Sequence, residues 1–89
     1  MSRDGDAEVR RQVVPGRVID RLIRDMVVEA APGAGVAALP VVRRPQPNGA
    51  CNWEVPGWIG ETDAVERCKA RLAGYFALIE SQLDLPADP

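Results

Sequence analysis

The chain has 89 residues, a net charge of −2 and a pI near 5.0, with 46% hydrophobic but only 4% aromatic residues. That length makes one domain with little core to spare, and the hydrophobic content excludes a disordered chain. The acidic balance argues against a general nucleic-acid binder, no apolar run reaches the length of a membrane span, and the start from Met1 to Asp6 is too polar for a signal peptide, so a cytoplasmic protein with no membrane partner is expected.

A single domain spanning 1–89 is expected, with loose tails at 1–8 and 86–89. Val9, Val13 and Val14 fit a short strand or a helical lead-in equally well before Pro15-Gly16 interrupts them. The first helix is read from Gly16 to Ala31, because Ile19, Leu22, Ile23, Met26, Val27 and Ala30 recur at three- and four-residue spacing and make one apolar stripe. Arg17, Arg21 and Arg24 lie mostly off that stripe, interleaved with Asp20, Asp25 and Glu29. Asp20 with Arg24, and Arg21 with Asp25, are opposite charges four residues apart and suit helix-surface ion pairs. Pro32-Gly33 ends the helix.

Gly35 to Arg44 reads as a strand, broken or bulged at Pro40, which lacks the N–H a ladder needs. The stretch from Pro45 to Gly60 then holds both tryptophans, Cys51 and three of the eight glycines. Within it Cys51, Trp53 and Val55 alternate with Asn52 and Glu54, the period of a half-buried strand. Asn48-Gly49 and Pro56-Gly57 bracket it with turn signals.

The second helix opens at Thr62, read as its N-cap, with Asp63 and Glu66 in the first turn complementing the helix dipole. Val65, Cys68, Leu72, Tyr75, Phe76, Ile79 and Leu83 form its core-facing stripe. Gly74, unfavourable in a helix interior, is expected to admit a close neighbour such as a tryptophan ring. The order helix, strand, strand, helix gives an α+β domain of two layers, a small antiparallel sheet of two or three strands on two helices. Because two strands alone are marginal, a third is expected from 9–14, from 58–60, or from a second copy in a homodimer.

The sequence contains no histidine, which removes Ser–His and Cys–His nucleophile pairs and every His-containing zinc site. Cys51 and Cys68 both fall on inward faces, as buried reduced thiols or as a strand-to-helix disulfide. Phosphate-binding loops, dinucleotide glycine patterns and calcium loops are missing, so neither a cofactor nor a metal is expected, nor catalysis. Charge is uneven. Residues 1–44 carry eight basic and six acidic side chains, net +2, and residues 45–89 three and seven, net −4. The window 45–66 holds Glu54, Glu61, Asp63 and Glu66, no base, and Trp58 between two turns, where that ring is either core or exposed.

Asn48-Gly-Ala-Cys-Asn-Trp53, with Arg43-Arg44-Pro45 before it and a long helix after it, resembles small uncharacterised proteins of alphaproteobacteria and their prophages that carry a Gly-Cys-Asn-Trp stretch. Ala50 departs from that pattern. The resemblance implies a mobile-element origin and no known activity, a setting in which small acidic proteins often resemble inhibitors such as anti-CRISPRs. The function expected is therefore binding of another protein that bears a basic surface, through Glu54, Trp58, Glu61, Asp63 and Glu66. The alternative is a nucleic-acid-binding or regulatory protein using the arginine face of the first helix.

Overall fold

The structure is a computed structural model describing residues 11–45 and 51–86. It is an α+β fold whose elements run β1 (Gln12–Val13), α1 (Gly16–Ala30), β2 (Ala37–Ala38), β3 (Val42–Arg43), β4 (Trp53–Glu54), β5 (Trp58–Ile59), α2 (Thr62–Gln82) and β6 (Leu83–Asp84). The tails 1–8 and 87–89 and the Asn48-Gly49 turn lie outside the described residues.

α1 begins after Pro15, whose extended backbone sets the entry and whose carbonyl accepts from Val18 N–H at 2.9 Å. Ile19, Ile23 and Val27 are the buried line of the expected stripe, while Leu22 at its margin stays 39% exposed. Neither expected i,i+4 ion pair closes. Asp20 instead accepts from the Val41 backbone N–H at 2.8 Å, which fixes the chain after Pro40 against the helix. The last carbonyls of α1 have no basic residue of their own nearby in sequence, and Arg71 of α2 donates to Ala30 O at 2.9 Å in their place.

Among the described residues the strands form three separate two-stranded ladders rather than one sheet. β2 pairs antiparallel with β5 and β3 with β4, with Ala38 opposite Trp58 and Arg43 opposite Trp53. The break between β2 and β3 falls at Pro40, as its missing N–H requires. β1 pairs parallel with β6, Gln12 opposite Leu83, which settles the ambiguous valine run as a strand over its described part. Gly60 joins β5 to α2 at φ +133°, and an added Cβ would lie 3.0 Å from Gly35 O and 3.2 Å from Val36 Cα. Only glycine fits there.

Glu61, not Thr62, occupies the N-cap position of α2, in extended backbone without a side-chain cap bond, and Thr62 is the first helical residue. Val65, Cys68 and Leu72 are buried as the spacing required, but Tyr75 is 60% exposed and Phe76 takes the inward place. Gly74 faces open space, with nothing within 4 Å of an added Cβ, so no ring approaches it. The chain leaves the helix at Leu83, which remains buried from within β6.

The core gathers Ile19, Ile23, Val27, Cys51, Trp53, Cys68, Leu72 and Leu83. Trp53, 1% exposed, is its largest side chain, and its indole N–H donates to Leu83 O at 2.9 Å. Beside it Asn52 pairs with Leu85 as a strand residue would. Its Oδ1 accepts from Leu85 N–H at 2.7 Å, and its Nδ2 donates to Leu85 O at 3.1 Å. Asn52 N–H also donates to Asp84 Oδ1 at 3.2 Å, and Arg11 lies 3.7 Å from the same oxygen. Arg43 donates to Pro86 O. The Cys-Asn-Trp stretch is thus a fastening for the segment after α2. Both cysteines are buried and unpaired, without a disulfide.

Candidate binding groove beside the first helix

The five residues expected to meet a partner lie on β4, on β5 and at the start of α2. Glu54, on β4, is exposed, and its Oε1 lies 3.8 Å from Arg44 Nη1. Arg44 also donates from its backbone N–H to Asn52 O at 3.1 Å and from its Nε to Cys51 O at 3.4 Å. Trp58, on β5 in a different ladder, is half-buried. Its ring meets Phe76 of α2 edge-on, with centroids 6.0 Å apart and planes at 61°, a favourable aromatic geometry. Glu61, Asp63 and Glu66 ride the start of α2, and Lys69 reaches Glu66 at 3.4 Å. The window free of bases in sequence is therefore not free of them in space. Glu61 and Asp63 are exposed and have no ion pair among the described residues.

A different surface is better built. Between α1 and the segment Val36–Pro40 runs a groove of about 500 Å³, a volume within the range of ligand-binding clefts. Ile23, Val27 and Val36 give it an apolar floor. Val18, Val28 and Leu39, respectively 37%, 58% and 38% exposed, add apolar surface in reach of solvent. Arg17, Arg21 and Arg24 line it from the helix. They stand at i, i+4 and i+7, which sets them along one side of α1. Among the described residues these three guanidiniums make no ion pair or hydrogen bond, and the acid between them, Asp20, is turned to Val41 N–H. A planar guanidinium without a partner is a ready bidentate donor to a carboxylate or phosphate.

Among the described residues no group of three His, Cys, Asp or Glu could hold a metal ion, and no described helix is long and apolar enough to cross a membrane. Cys51 Sγ donates to Trp53 O at 3.3 Å inside the core. Burial pushes the Cys68 thiol pKa up, partly opposed by the Arg71 charge. The expected stretch around Trp58 came from composition, whereas the groove joins residues 17–28 to 36–40 and depends on how β2 docks. Its signal in sequence was the arginine row itself, hidden by the interleaved acids. No protein-family model, curated protein or solved structure matches the chain.

Proposed function

We propose that the chain is a non-enzymatic binding protein whose partner is another protein, held in the groove between α1 and β2. The observation that carries this reading is the combination of an apolar floor with three arginines that have no partner among the described residues. Desolvated apolar contact supplies affinity, and unpaired charge selects an acidic partner and speeds encounter. A protein suits the site better than a nucleic acid does. The chain is net acidic, Asp25 and Glu29 share α1 with the arginines, and the floor is aliphatic with no aromatic for a base to stack on. A protein of this kind acts by occupying a surface. The resemblance to prophage proteins extends the proposal to an inhibitor that blocks a host complex by competition.

A second reading places a basic partner, such as the nucleic-acid groove of a host complex, on Glu54, Trp58, Glu61, Asp63 and Glu66. The exposed Glu61 and Asp63, without an ion pair among the described residues, favour it.

Selection of displayed random short peptides on the immobilised chain separates the two, with a labelled DNA titration beside it. Enrichment of acidic, apolar-containing peptides, lost in Arg17→Gln/Arg21→Gln/Arg24→Gln and kept in Glu61→Lys/Asp63→Lys, supports the groove. Basic peptides with the opposite dependence overturn it in favour of the acidic surface. DNA binding that falls steeply between about 50 and 200 mM salt, with no peptide enriched, overturns both.

A further inference from the structure

We infer that the groove binds its partner by strand addition: an extended acidic segment of another protein pairs with the free edge of β2 while its carboxylates meet the arginines of α1. The inference rests on the groove reading above and specifies how the partner lies in it.

The edge follows from the register. Leu39 N–H donates to Gly57 O at 3.0 Å, and Ala38 stands opposite Trp58. In an antiparallel ladder, pairs that exchange hydrogen bonds alternate with pairs that do not. Residues 39 and 57 lie on a bonded rung, so Ala38 and Trp58 lie on an unbonded one. The N–H and C=O of Ala38 therefore point away from β5. Among the described residues β2 has no strand on its other side, since its ladder contains β5 alone. Five consecutive residues, 36–40, line the groove although their side chains alternate between faces. A segment lining a space at every residue presents its edge to it. An unpaired edge is a template for another strand.

The charge pattern selects the strand. In an extended chain every second side chain recurs at about 6.7 Å. Arg17 and Arg21 are about 6 Å apart along the helix axis, and Arg24 lies about 4.5 Å beyond. Carboxylates at alternate positions match the first spacing and fall near the second. The residues between them are free to be apolar and to cover Leu39 and the valines of the groove. At the far end Pro40 has no N–H and offers only its carbonyl, so pairing stops there and the segment is short. The occupant is thus a segment of alternating acidic and β-branched residues.

The test uses the isotope-labelled chain and a synthetic probe, acetyl-Glu-Val-Glu-Val-Glu-Val-Glu-amide, in two N-methylated forms, one blocking the valine N–H groups and one the inner glutamate N–H groups. Those two sets leave opposite edges of an extended peptide. We expect the unmodified probe to bind and to slow hydrogen exchange at the Ala38 amide. One methylated form should lose roughly tenfold or more in affinity, the effect of about two hydrogen bonds, while the other binds as before. Binding that tolerates both methylation patterns, with Ala38 exchange unchanged, overturns strand addition and leaves the groove reading standing. Equal binding by Arg17→Gln/Arg21→Gln/Arg24→Gln, or no binding by this probe alongside shifts of the groove amides with single-stranded oligothymidylate, overturns the groove reading as well.

Discussion

Replacing Asn52 by alanine should loosen the end of the chain and cost about 2 kcal/mol. The side chain makes two hydrogen bonds to Leu85, one accepted at 2.7 Å and one donated at 3.1 Å. Each is worth about 0.5–1.5 kcal/mol net, and together they are a large fraction of the roughly 4–13 kcal/mol that holds a domain of this size. Truncation leaves Leu85 N–H and C=O half-buried, partly rehydrated, so the loss should fall inside that sum and not above it. Asn52→Asp gives a sharper form of the same test. It keeps the acceptor for Leu85 N–H but sets a carboxylate against Leu85 O and close to Asp84, which already accepts from residue 52 N–H. Repulsion raises the pKa of the new carboxyl above its unfolded value, so its contribution is complete at pH below that unfolded value and is lost as pH rises through the folded one. When protonated it can donate to Leu85 O and restore the pairing. Urea unfolding of both variants, with hydrogen exchange at the Leu85 amide, reads the outcome. A loss below about 0.5 kcal/mol in Asn52→Ala, with Leu85 protection unchanged, would refute the fastening role of this side chain.

Gly60→Ala should destabilise by about 1–3 kcal/mol, because its φ of +133° and the 3.0 Å approach to Gly35 O both oppose a side chain; a melting temperature unchanged from the parent would contradict this. Trp58→Ala should cost about 2 kcal/mol of stability through the lost edge-on contact with Phe76, read by urea unfolding; a variant as stable as the parent would show the ring to be a surface group. Burial raises the Cys68 pKa, so the thiol's contribution to stability is complete below its ordinary value of 9.0 and falls as pH rises through the higher folded one. Cys68→Ala should flatten that alkaline decline, and equal decline in both proteins would rule the thiol out as its source.

Local periodicity carried most of the fold. Ile19, Ile23 and Val27 on α1, with Val65, Cys68 and Leu72 on α2, are buried where their spacing put them. Cys51 and Trp53 are buried and Glu54 exposed, as the alternation required. What spacing could not decide was competition between neighbours. Tyr75 and Phe76 sit about 100° apart on the helix, and the aliphatic margin and Trp58 take the ring without a hydroxyl. Leu83 fits both a helical stripe and a strand, and its partner at residue 12 is too distant to register in any local window. The candidate site was harder still. The acids of the window 45–66 looked unopposed because Arg44 and Lys69 lie just outside it in sequence. The arginine row looked neutralised because Asp20 stands in it, and only the docking of Val41 shows where that carboxylate turns.

The parallel pair of β1 with β6 also imposes an order of events on folding. Bringing residues 12 and 83 together closes nearly the whole described chain, whereas Ala38 and Trp58 meet across a short excursion. Closure entropy grows with loop length, so the near pair is expected to form first and the far pair last. Each tryptophan then keeps its own time. Trp58 sits on the near ladder, while the indole N–H of Trp53 waits for Leu83 O, which arrives only with β6. In rapid refolding, Trp53→Phe should keep the early fluorescence change and Trp58→Phe the late one, and two variants with identical traces would mean that the ends close together with the middle.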